Sequence, residues 1–184
     1  MVWGSNKRID DMQLMIEQLN QLKNAWMASH VTDAEFPTPL SEKGLALYQA
    51  KQLQLSSQLI SSIPDCATSS LSFYPVDCHP LTIRYSLVLA SQWANEADKD
   101  ALIEYLTQIM FEQDAPAQLY VGFYKGKPAA CGMIYHHQSD KGSCALIADV
   151  HALPLANQQT LQQEMENYLL NKAKEDHDIL VLTK

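Results

Sequence analysis

The chain has 184 residues, 47% of them hydrophobic and 18% charged, with a formal net charge of −8. That is apolar material for one core with a smaller satellite unit, and too much for a disordered chain. No stretch concentrates Lys and Arg, which argues against a nucleic-acid partner, and no run approaches the roughly 18 apolar residues of a membrane span. Cys66, Cys78, Cys131 and Cys144 form no CxxC pair, and the opening MVWGSNKRIDD is not an apolar leader. The expectation is a soluble, cytoplasmic protein with reduced thiols.

Ile9, Met12, Ile16, Leu19, Leu22 and Trp26 recur at three- and four-residue steps. They predict one apolar helical face, with Gln13, Glu17, Asn20 and Lys23 off it. Pro37 and Pro39 mark a linker. A second helix is expected from about Ser41, its stripe carried by Leu45, Tyr48, Leu55 and Leu59. The turn-rich stretch from Ser61 to Pro80 reads as a connection, with a boundary near residue 76. That divides the chain into a helical segment, 1–75, and an α/β domain, 76–184.

Leu81 to Ala90 (LTIRYSLVLA) reads as a strand. Asn95 can cap a helix whose buried face is Leu102, Tyr105, Leu106 and Ile109, with Pro116 beyond it. Three strands follow: Leu119–Tyr124, Ala129–His137 and Cys144–Leu153. The turns Lys125-Gly126 and Ser139-Asp140-Lys141-Gly142 make them an antiparallel meander. A helix is expected over Gln158–Lys174, then the apolar strand Ile179–Leu182, in a parallel crossover. The second half thus reads β-α-β-β-β-α-β, a mixed α/β sheet.

Over about 100 residues this order resembles the core of the GNAT (acyl-CoA N-acyltransferase) superfamily. The most specific stretch is Asp149 to Leu182, DVHALPLANQQTLQQEMENYLLNKAKEDHDILVL. The resemblance implies acetyl-CoA as cofactor, its pantetheine arm between two splayed strands and its pyrophosphate at the N-terminus of the following helix. It implies cofactor contacts from Val150, Ala152, Leu153, Asn157, Gln158, Gln159, Thr160, Leu161 and Gln162. Positions where that family prefers glycine hold Gln158, Thr160 and Gln162 here, and Asn157 stands where Arg or Gln is common. The family also continues into another helix and two more strands. Another copy, another protein or an abbreviated fold is therefore expected at the sheet edge.

Asp149 and His151 are two apart on a strand and share a face, with Ala148 and Val150 facing the core. As base candidates they point to proton removal from an amine; a polar pair on a solvent-facing strand is the other reading. The functional expectation is acetyl transfer from acetyl-CoA to a small-molecule or protein amine. The alternative is a non-catalytic GNAT-like binding module, dimeric through its N-terminal helices. His136 and His137 read as a solvated strand end. Asp77-Cys78-His79 with Cys66 lacks any familiar zinc spacing, so no metal is expected.

Overall fold

The computed structural model describes residues 3–65 and 69–184, which leaves Cys66 outside the described residues. The first helix, α1 (Trp3–Thr32), buries Met15, Ile16, Leu19, Lys23, Met27 and Val31. That face is rotated from the expected one. Ile9 stands exposed, Met12, Leu22 and Trp26 are only partly buried, and Lys23, expected in solvent, is fully buried. Helix α2 (Pro39–Gln52) starts where Thr38 and Ser41 exchange side-chain and backbone hydrogen bonds in a capping box, with Pro39 in the first turn. It buries Leu45 and Tyr48 and ends before Leu55. Leu59, expected on its stripe, lies instead in β1 (Ser57–Ile60).

The expected connection contains a further strand, β2 (Leu71–Pro75). Leu81 to Ala90 is not a strand but most of α3 (His79–Ala90). Pro80 sits in its first turn, and Thr82, Tyr85, Ser86 and Leu89 are buried at helical spacing. In α4 (Glu96–Leu106) the Asn95 side chain accepts from the Asp98 N–H at 3.1 Å, as expected. The meander is β3 (Ala117–Tyr124), β4 (Lys127–Ser139) and β5 (Gly142–Ala152). Lys125 and Gly126 both take positive φ in the first turn, the conformation a two-residue hairpin loop prefers. Then come α5 (Gln158–Lys174) and β6 (Ile179–Thr183).

The strands form one sheet in the order β1-β6-β5-β4-β3-β2. All neighbours are antiparallel except β5 and β6, which pair in parallel as the crossover requires. One face carries α1 to α4 over Leu119, Met133, Leu146 and Val181; the other carries α5 over Ile134, Ile147 and Leu182. This is the mixed α/β sheet expected from the sequence. The edge beside β6 is completed by the chain's own β1, Ser57 opposite Thr183, and not by another copy. Segment 1–75 thus supplies both edge strands.

Candidate functional site

The β5–β6 pairing covers only Cys144–Ile147 against Ile179–Leu182. Beyond Ile147, β5 is bent by a bulge: Met133 pairs with Ala148 and Cys131 with His151, so Asp149 and Val150 together oppose Gly132. Asp149 adopts the left-handed conformation, φ 57°, rare for a residue with a Cβ. The bulge reverses the expected alternation, so Ala148 and Val150 do not share a face. Ala148 packs under α1 to α4 and Val150 against the α5 core. Where the strands part, a cleft of about 190 Å³ opens between the end of α2, α3 and the bulge. Asp149, Val150, His151 and Gln162 line it, with Tyr48, Lys51, Gln52, Trp93 and Lys184.

Asp149 is 8% exposed, and its carboxylate is not free. The Tyr48 hydroxyl donates to Oδ2 at 2.7 Å, and Gln52 Nε2 lies 3.5 Å from Oδ1. Lys23 Nζ in turn donates to the Tyr48 oxygen at 3.1 Å and to Gln52 Oε1 at 2.7 Å. Burial holds the Tyr48 hydroxyl well above its ordinary pKa, and the neighbouring carboxylate adds to it, so it stays protonated.

The protonation of His151 follows from its partner. Ser91, at the C-terminal cap of α3, gives its proton to the Val88 carbonyl at 2.6 Å. Its oxygen can then only accept from His151 Nε2, 2.9 Å away. This assignment puts the proton on Nε2 and a lone pair on Nδ1. Burial, helped by Lys51, pushes the imidazole pKa down to about 4, so the ring is neutral at pH 7.

The other expected cofactor residues do not line this cleft. Ala152 and Leu161 are in the α5 core, and the Leu153 N–H donates to the Ala129 carbonyl at 2.8 Å. After Pro154 the Gln158 N–H bonds the Leu155 carbonyl, and its side chain folds back onto the Ala152 carbonyl at 2.8 Å. Asn157 caps α5 without a side-chain hydrogen bond, and Gln159 and Thr160 are exposed in the first turn. Those first-turn N–H groups have no partner within the helix and are the anion-facing donors left to it.

Tyr48, Lys51, Gln52 and Ser91 had no sequence signal as site residues, since they come from helices distant in the chain from Asp149, and Lys23 was expected in solvent. His136 is also not a solvated end. It is half-buried, its Nδ1 2.8 Å from His177 Nε2, and His177 Nδ1 lies 2.9 Å from the Ala173 carbonyl. Among the described residues no group of three or more His, Cys, Asp or Glu could hold a metal, and no helix is long and apolar enough to cross a membrane.

No protein-family profile matches the chain, and no curated protein matches it. Solved structures similar to it include three acetyltransferases. One is a ribosomal-protein-alanine N-acetyltransferase from Brucella melitensis biovar Abortus 2308, 16% identical, TM-score 0.45, covering 61% of this chain and 78% of that one. Another is a predicted acetyltransferase from Clostridium acetobutylicum with acetyl-CoA, 14% identical, TM-score 0.42, covering 61% and 79%. The third is a GCN5-related N-acetyltransferase from Kribbella flavida, 14% identical, TM-score 0.47, covering 77% and 54%. These are likenesses of fold at low identity.

Proposed function

We propose that the protein is a GNAT-like N-acyltransferase that acylates an amine at the β5 bulge. The observation that carries this reading is the parting of two parallel strands onto a cleft lined by a buried carboxylate, Asp149, and a neutral imidazole, His151. The residues present suit acetyl-CoA at its thioester end and poorly at its phosphates. The parted β5 offers Val150 to the arm and α5 offers Gln162, whereas Gln158, Thr160 and Gln162 place side chains where phosphates need close backbone approach. Acetyl-CoA would supply an acyl thioester there. The chain's own residues do the rest: Asp149 attracts the amine as an ammonium ion. His151 Nδ1 takes the proton and leaves the nitrogen lone pair free to attack the thioester carbonyl; the C–N bond would form as the C–S bond breaks, and the sulfur would leave as a thiolate that takes up a proton. A base of pKa about 4 is weaker than the near-neutral optimum, so it contributes at the lower end of the usual 10² to 10⁴.

A second reading, a GNAT-like binding module without turnover, is favoured by the Gln158 side chain seated on the Ala152 carbonyl and by the committed Leu153 N–H. Calorimetry with acetyl-CoA and mass-spectrometric detection of amine acetylation separate the two. Weak binding with acetylation that disappears in Asp149→Asn and His151→Ala supports the enzyme. Binding with no acetylation of any amine supports the module, and no binding at all removes both. Glycine at 158, 160 and 162 is expected to tighten binding.

A further inference from the structure

Lysine is almost never fully buried without a partner, yet Lys23 has no exposed surface and, among the described residues, no carboxylate within salt-bridge distance. Its ammonium instead addresses the two side chains that address Asp149. One arm runs Lys23 Nζ to the Tyr48 oxygen (3.1 Å), then Tyr48 O–H to Asp149 Oδ2 (2.7 Å). The other runs Lys23 Nζ to Gln52 Oε1 (2.7 Å), then Gln52 Nε2 towards Asp149 Oδ1 (3.5 Å). Every bond in both arms donates the same way, from the Lys23 nitrogen towards the Asp149 carboxyl. A tyrosine that donates to Asp149 has only acceptor capacity left for Lys23, and a primary amide presents its oxygen to one neighbour and its nitrogen to the other. The arms also span three elements, α1, α2 and β5, and converge on a residue in strained left-handed backbone.

We infer that Lys23 and Tyr48, with Gln52, are positioning residues that hold the Asp149 carboxylate in its bulge as an anion and balance its charge from the N-terminal helices. The inference deepens the amine-acylation reading and rests on it for its role in catalysis. It explains why a buried lysine is retained on the face of α1 that meets the sheet. Lys51 and Lys184 are the other ammonium groups lining the cleft, and neither makes a hydrogen bond to the Asp149 carboxylate. Tyr85 and Tyr105 stay protonated and Cys131 stays a thiol, because burial raises all three, and His151 is neutral. Burial pulls the Lys23 pKa down while Asp149 pulls it up, as expected of a desolvated cation facing its counter-ion.

The test does not need turnover. The Asp149 carboxyl-carbon resonance is followed by NMR at neutral pH in the wild type, in Lys23→Met, which keeps much of the apolar stem, and in Tyr48→Phe, which keeps the ring. Removing either link is expected to move that resonance, because the carboxylate loses a hydrogen-bond donor or the cation behind it. A resonance that stays at its wild-type position in both variants overturns the inference. Stability gives a second readout. Lys23→Met should lower the urea midpoint, and Asp149→Asn should recover part of it in the Lys23→Met background, since no buried anion remains unbalanced. Strictly additive losses overturn the inference as well. If Lys23→Met alone does not fold, folding of the Lys23→Met/Asp149→Asn double variant supports it, and failure of both counts against it. A wild type that acetylates no amine sinks the functional reading and leaves these results standing, so the two failures are distinguishable.

Discussion

Gly44 is where α2 touches α4, and a methyl group there tests how closely the site helices are set. A Cβ at Gly44 would lie 2.0 Å from the Ala101 carbonyl oxygen and 2.6 Å from Tyr105 Cβ. Ordinary contacts need about 3.5–4.0 Å, so the helices must separate by roughly 1.5 Å. The obstacle is backbone in the middle of α4, and α4 is tied in place by its Asn95 cap and by the Tyr105 hydroxyl on the Met27 carbonyl at 2.7 Å. Alanine gains about 1 kcal/mol over glycine as a helix former, while overpacking costs about 1–3 kcal/mol and more where backbone must move. The net expected loss is about 2 kcal/mol, or about 4–8 °C in Tm for a chain of this size. Tyr48 lies one turn further along α2 on the same buried face, so the displacement should also lengthen its 2.7 Å bond to Asp149. Scanning calorimetry and urea unfolding of Gly44→Ala measure the loss. Gly4→Ala is the control, since nothing lies within 4 Å of its Cβ, and as an open position in the first turn of α1 it should be stabilising by up to about 1 kcal/mol. A Gly44→Ala protein that melts higher than the wild type, as an open helical position would, refutes the close approach of α2 and α4.

The remaining expectations concern titration, thiols and the sheet edge. His151 has a folded pKa near 4 against about 6.5 unfolded, so the unfolded chain binds more protons between those values. Its contribution is present above pH 6.5 and is lost as pH falls towards 4; urea midpoints of His151→Gln should show a flatter slope across that window, and an unchanged slope would count against a neutral, buried ring. Cys78 is exposed, whereas Cys131 and Cys144 are buried and burial raises the Cys131 thiol well above its usual range. Alkylation mapped by mass spectrometry should mark Cys78 in the native protein and reach Cys131 and Cys144 only on unfolding. Phe73 of β2 stacks on Tyr168 of α5, centroids 3.9 Å apart and planes 4° off parallel. Phe73→Leu should cost about 0.5–1.5 kcal/mol by urea unfolding, and no loss would show that the stack does not anchor the edge strand.

What the sequence made legible was local, and what it hid was pairing at a distance. Asn95, Lys125-Gly126 and the apolar steps of Leu161, Met165 and Leu169 each state a cap, a turn or a helix within a few residues, and each stands where expected. Leu81 to Ala90 misled because its Thr, Ile, Tyr and Val favour strands in composition, although Pro80 and the spacing of Thr82, Tyr85, Ser86 and Leu89 already had helical period. Composition was the weaker signal, since β propensity mostly records packing against neighbours that a sequence does not display. The site divides in the same way. Asp149 and His151 were legible because one strand carries both. The bulge that sets them was not, since it depends on β4 accepting two residues opposite Gly132. Tyr48 lies 101 residues from Asp149, and Lys23 lies 25 from Tyr48. Lys23 was expected on the solvent side of α1 because charge is the usual mark of a solvated face, and that inference fails where a buried anion offers a counter-charge. A lysine aligned with the core positions of a helix, four residues after Leu19 and four before Met27, is the sequence signal that could have exposed it. Read in that way, the charge is a demand on the rest of the fold: some buried acceptor must come within reach, and here it is the network that ends at the cleft.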